Sequence, residues 1–409
     1  MVRHLVYFET LGSLVENSEG WRRVFAGLVV LRLIDVARTD SREGTPLDAT
    51  TVSSVRASVE TLKDSDVFKP ILAAIVDAVE SRAETPVVCE RVVAYARALD
   101  LEASWRLSAD VLETALELAP SDTDPLAIDA NTMLGGVARR AGDWDRSAAG
   151  YASAAHAAAV IGDTPRALKA EIGMANTHLT HGNLPAAERT LSVVLEEAKS
   201  NNLADILELA LHDSATVAHH QGRFADAIQF AYEALELNPS PTERDALIGD
   251  MGAFFADLGM RDAARDAHLI VSATSQSKWV VTQARINLME LASLDGMEDL
   301  FNEHASALSA AVMDVRHRAY YLYYLGQGQQ RFGRLDAAAR SLEEARAFAA
   351  KNGIHQVAFD AETALASLAK EWATWPAVAH PSGQSNPPES AVRIARELSQ
   401  MRELAFAAG

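Results

Sequence analysis

The chain has 409 residues, about half of them apolar, and a formal net charge of −19. A field of that sign repels phosphate backbones, so nucleic acid is not an expected partner. Cys89 is the single cysteine, which excludes an intrachain disulfide, and its place in Val87-Val88-Cys89 predicts a buried structural thiol.

The N-terminus lacks the basic start, apolar core and cleavage site of a signal peptide. The most apolar window, Phe25 to Ile34, is interrupted by Arg32 and closed by Asp35. It falls short of the roughly 20 residues that span a bilayer, so no membrane contact is expected and the expected location is the cytoplasm. Residues 1–85 read as divergent helical pairs. Asn17-Ser18-Glu19 can cap a helix to about Arg38, and Thr45-Pro46 and Thr85-Pro86 are helix starts with proline at the first turn. They are expected to cap the array that follows, a separate effector domain being the alternative.

From residue 86 to 350 one pattern recurs about seven times. A turn centred on glycine is followed two residues later by an apolar side chain, then by alanines in helical period. The turn glycines are Gly142, Gly182, Gly222, Gly259, Gly296 and Gly333, spaced 40, 40, 37, 37 and 37 residues apart. An earlier copy has Ala103 in that place and keeps Trp105. Counting from the glycine, position +5 is small (Ser147, Ala187, Ala227, Ala264, Ala338), and so is position −7 (Gly135, Ala175, Ala215, Gly252, Gly326). Small residues there predict two helices whose backbones approach closely. Pro120 and Pro239 close second helices.

Gly222-Arg223-Phe224-Ala225-Asp226-Ala227 through Ala234 to Pro239, and Leu325-Gly326 through Gly333 to Ala338, resemble the tetratricopeptide repeat. The resemblance covers about residues 86–350, in a variant whose period is longer than usual. It implies an all-α fold, a right-handed solenoid of stacked helical hairpins. The copy at Gly296 departs from the pattern, with Leu300-Phe301 where alanine is usual, which predicts irregular packing there.

Residues 351–375 are expected to form a helix capping the open end, and 376–388, rich in proline and serine, a flexible linker. Residues 389–409 return to helical pattern with Ile394, Leu398, Met401 and Ala405 on one stripe. Such a stripe needs a surface. The expected ones are the last repeats around Tyr320 and Tyr323, or a second copy of the chain, so self-association through this helix is possible.

No nucleotide loop, zinc-protease motif or nucleophile elbow is present, and no cofactor is expected. His178 and His181 are three apart, but the register puts one against a neighbouring helix and the other at the turn. His212 and His219 are seven apart, a rise of about 10.5 Å. That is too far for one metal held about 2 Å from each nitrogen, so no metal is expected.

The resemblance implies an inner wall made by the first helix of each repeat, at positions −13, −10, −6, −3 and −2. Those positions hold Arg97, then Arg139 and Arg140, then Lys169 and Asn176, then His212, Thr216 and His219. The next repeat is small there (Ala246, Gly249, Ala253, Ala256), and the last carries Tyr320, Tyr323, Gln327 and Gln330. Asn176 matches one member of the family's carboxylate clamp, but Ile172 stands where its lysine is usual. The reading is a net basic, polar wall within an acidic protein. The alternative is an ordinary solvated wall whose bases pair with Asp129 and Glu290. The expected function is a non-enzymatic module that binds a carboxylate-bearing protein or peptide segment. The alternative is a sensor in which a small peptide or metabolite changes the superhelix.

Overall fold

The computed structural model describes residues 3–43, 48–311, 313–374 and 387–407. The Thr45-Pro46 start and residues 376–386 of the expected linker lie outside them. Among the described residues every regular element is a helix and there is no strand. The chain divides into two compact units, Met1–Ile206 and Leu207–Gly409.

The first unit opens with α1 (Leu5–Ser13), α2 (Glu19–Glu43), α3 (Ala49–Glu60) and α4 (Phe68–Glu80). Three hairpins follow: α5 (Thr85–Leu101) with α6 (Trp105–Leu118), α7 (Pro125–Arg140) with α8 (Trp144–Val160), and α9 (Thr164–Thr180) with α10 (Leu184–Ser200). One apolar core runs without a break from Tyr7 on α1 to Val137 on α7, and Cys89 is fully buried in it. Tyr7 donates to the Tyr95 hydroxyl at 3.2 Å, which ties α1 to α5.

The second unit has four hairpins, and the division falls within the first turn of its first helix. They are α11 (Ala204–His220) with α12 (Phe224–Glu236), α13 (Pro241–Asp257) with α14 (Arg261–Thr274), α15 (Lys278–Leu294) with α16 (Glu298–Ser309), and α17 (Val315–Arg331) with α18 (Leu335–Lys351). Then come α19 (His355–Thr374) and α20 (Glu389–Ala407).

Each hairpin turn is made the same way. The six turn glycines all have positive φ, from 69° to 85°, and Ala103 adopts the same left-handed conformation at 55°. The residue after each turn then donates back to a carbonyl five residues earlier, as Asp143 N does to Ala138 O (2.9 Å) and Arg334 N to Gln329 O (2.8 Å). This satisfies a carbonyl that the helix end would otherwise leave bare.

The small residues do what their spacing predicts. Ser147, Ala187, Ala227, Ala264 and Ala338 are all fully buried. At position −7 the space is taken by the side chain at +9 of the same hairpin. A Cβ on Gly252 would lie 2.6 Å from the His268 ring, and one on Gly326 would lie 2.7 Å from Leu342. In the aberrant Gly296 repeat the bulky Phe301 is buried, and room for it comes from the next repeat. A Cβ on Gly328 of α17 would lie 2.2 Å from the Phe301 ring.

Within each unit the first helices of successive hairpins touch: α5 with α7, α7 with α9, α13 with α15, and α15 with α17. The second helices are held apart and make almost no direct contact. Close spacing on one side and wide spacing on the other makes the first-helix row the inner one.

The tail differs from expectation. Tyr320 and Tyr323 are not open to it, because Ile354, just before α19, and Val357, in its first turn, pack against them. Instead α20 lies against α12 and α14, with Ala391, Ile394 and Leu398 buried. Arg402 donates to Asp266 at 2.6 Å, Tyr232 donates to Glu397, and Arg393 lies over the Tyr232 ring. The gap between two second helices offers apolar area that the α19-covered tyrosines no longer do.

Candidate functional site: the first-helix wall

Neighbouring first helices run side by side one repeat apart, so a residue at −3 meets the residue at −2 of the next hairpin. Asp100 accepts from Arg140 Nη2 at 2.6 and 2.7 Å. Arg139 Nη1 reaches Thr180 Oγ1 at 3.4 Å. In the second unit His219 Nε2 lies 2.6 Å from Asp257, and Arg331 Nη1 donates to Ser293 at 2.7 Å. Two turns earlier on α11, His212 Nε2 lies 2.8 Å from Asp250. Asp250 and Asp257 are thus part of the wall, and the wall is less basic than the chosen positions implied. The signal was present: the two aspartates are seven apart, like the two histidines, one register step further on.

On the first unit's wall Arg140 is neutralised by Asp100, whereas Arg97, Arg139 and Lys169 form no ion pair among the described residues. Asp129 is taken by Arg166 at 2.8 Å, and Arg166 also holds Asp163 at 2.7 Å. Asp129 therefore does not offset Arg97, Arg139 or Lys169. Arg97 and Lys169 are exposed and form no ion pair or hydrogen bond among the described residues. Arg139 is half-buried, and its Nε is sealed from solvent with no acceptor among the described residues. Asn176 lies between Lys169 and the turn on α9, and its carbonyl accepts from the Thr180 hydroxyl at 2.7 Å.

In the second unit His219 sits among aromatic rings, 4.8 Å from Phe254 and 5.6 Å from Phe224 between centroids. Thr216 turns its hydroxyl back to the His212 carbonyl at 3.3 Å. Burial disfavours charge on His212, but the Asp250 carboxylate outweighs it and raises the imidazole above its usual range.

The last repeats gather tyrosines around a carboxylate. Tyr324 stacks on Tyr320 at 6.2 Å and tilts against Tyr323 at 5.1 Å. Gln327 donates to the Tyr323 hydroxyl at 2.6 Å and accepts from Arg331 at 3.2 Å. Gln330 stands one turn from Gln327 on α17. Burial pushes the Glu290 carboxyl up to about 7, with Asp257 adding to the effect and the Arg331 guanidinium and Tyr324 hydroxyl opposing it. Tyr324 belongs to this cluster although no inner-wall position pointed to it. His181 stacks on Trp144 at 5.3 Å, away from the wall.

Each repeat is a helical hairpin with a left-handed turn and small buried residues, the arrangement that the resemblance to the tetratricopeptide repeat implied. No family model matches the sequence, and a search of curated proteins finds no relative. Among solved structures, the chain is similar to the apo form of RapI, at 9% identity over 87% of this chain and 100% of that one, with a TM-score of 0.47. It is similar to a tetratricopeptide repeat protein from Parabacteroides merdae at 14% identity, covering 67% and 98%, with a TM-score of 0.46. It is also similar to a Rap protein complexed with competence and sporulation factor, at 13% identity, covering 86% and 98%, with a TM-score of 0.45.

Two further facts bound the chemistry. Among the described residues no cluster of three or more His, Cys, Asp or Glu could hold a metal ion, and no helix is long and apolar enough to cross a membrane.

Proposed function

We propose that the chain is a non-enzymatic interaction module whose first-helix row in the first unit binds a carboxylate-bearing segment of another protein or peptide. One observation carries the reading: Arg139 has a buried Nε with no acceptor among the described residues, while its neighbour Arg140 is satisfied by Asp100. A buried charged donor left unpaired costs about 1–3 kcal/mol or more. A carboxylate can take two parallel N–H bonds from the terminal nitrogens of one guanidinium and offset its part-buried charge. Arg97 and Lys169, on the first helices either side, offer further cationic contacts to an extended segment. His212, Thr216 and His219, and then Tyr320, Tyr323, Gln327 and Gln330, would supply polar and aromatic contacts on the second unit's wall. We place the module in the cytoplasm, where a chain with one buried thiol needs no oxidising environment.

The test is affinity capture from the native cell with the wild-type chain and with the pair Arg139→Glu and Lys169→Glu. A bound protein should be lost in the variant while the chain keeps its helical circular dichroism and a cooperative melting transition. An unchanged set of bound proteins at unchanged affinity would sink the reading.

A further inference from the structure

A cleft of about 680 Å³ opens in the second-helix row of the first unit, between α8 and α10 and floored by α9. Tyr151, Ala155, Met174, Val193 and Val194 give it apolar walls, and Arg189 stands at its edge. It is separate from the first-helix wall and independent of the function proposed for it.

The repeat provides a direct comparison. The gap between α12 and α14 in the second unit is the same feature at the same register, and there α20 occupies it. From Gly182 to Gly259 the offset is 77 residues, which aligns Val193 with Ile270, Val194 with Val271 and Arg189 with Asp266. Ile270 is 0% exposed beneath α20, whereas Val193 is 55% exposed. An aliphatic residue at that position is buried where a helix covers the gap and bare where none does. The charge at the edge is inverted. Asp266 accepts from Arg402 of α20, while Arg189 makes no ion pair among the described residues.

We infer that the α8–α10 cleft is a docking groove for an amphipathic helix of a partner protein, one with aliphatic residues at i and i+4 and a carboxylate at i+8. That is the pattern of Ile394, Leu398 and Arg402 with the charge of the last position reversed. A second copy's α20 is the wrong occupant, because it would set Arg402 against Arg189. Glu171 and Glu197 also border the cleft, so the rest of the partner's face is neutral or basic.

Two fluorescent peptides of residues 387–407 test this on the full chain. One is native and one carries Arg402→Glu. Both are held helical by replacing Arg396→Lys and Gln400→Glu and condensing the two side chains into a lactam, at positions exposed on α20. The Arg402→Glu peptide should bind about ten-fold more tightly than the native peptide, a difference of about 1.4 kcal/mol. Arg189→Glu in the full chain should reverse that preference. Val193→Glu should abolish binding of the Arg402→Glu peptide and leave the melting temperature unchanged, since Val193 is exposed. Equal affinities, a preference untouched by Arg189→Glu, or no binding of either peptide up to about 1 mM would each overturn the proposal.

Discussion

His219 Nε2 lies 2.6 Å from Asp257 Oδ2, and the two residues stand 38 positions apart, one repeat and one register step. Both side chains are partly exposed, at 26% and 52%, so solvent screens the pair. Such contacts contribute about 0.2–1 kcal/mol. A double-mutant cycle of His219→Ala and Asp257→Ala should return a coupling in that range. A coupling several times larger would mean that the seam, and not apolar packing, holds α11 to α13.

His4 makes a stronger case for pH dependence. It is almost fully buried between Asp110 at 2.6 Å and Asp35 at 3.2 Å, where α1 meets α6. Burial works against its charge, but the two carboxylates win and hold its pKa at about 9. A folded pKa above the unfolded value of 6.5 stabilises fully below about pH 6.5, and the contribution is lost as pH rises through 9. The thermal stability of the first unit should therefore fall between pH 7 and pH 10. His4→Gln should be less stable at pH 7 and show a flatter dependence over that window. Parallel profiles for the two proteins would refute the assignment.

Three glycine substitutions separate conformational from steric demand. Gly333→Val forces a β-branched residue to φ 73° and should cost about 1–2 kcal/mol or more. Gly252→Ala places a methyl against the His268 ring and should cost about 1–3 kcal/mol. Gly249→Ala, three residues away with nothing within 4 Å, should be neutral or stabilising by up to about 1 kcal/mol. Chemical denaturation of the three variants gives the order. Equal losses for Gly252→Ala and Gly249→Ala would contradict the packing described.

Removing the chain from Pro387 onward should destabilise the second unit, since burying Ile394 and Leu398 is worth about 1.5–3 kcal/mol apiece. Hydrogen exchange in α14 should rise as Ile270 becomes exposed. Affinity at the first-helix wall should not change, because α20 packs on the second-helix row. Tighter binding after truncation would show that α20 also covers the wall.

The repeat could be read from the chain because its determinants are local. Gly222 and Gly333 end helices through their own φ, and Ala227 and Ala338 are small and fully buried at a fixed distance from those turns. Ala103 could be aligned without a glycine because Trp105 kept its place. These choices involve residues a few positions apart, and they repeat, so each copy checks the others. The contacts between hairpins were not local. Asp100 with Arg140, His212 with Asp250, and Phe301 with Gly328 join different hairpins. They depend on a one-step offset between neighbouring helices that no single repeat encodes. The resting place of α20 was further still from the sequence. The stripe of Ile394 and Leu398 showed that this helix needs an apolar surface. Only packing decided which one, since α19 had already covered Tyr320 and Tyr323 while the gap between α12 and α14 stood open.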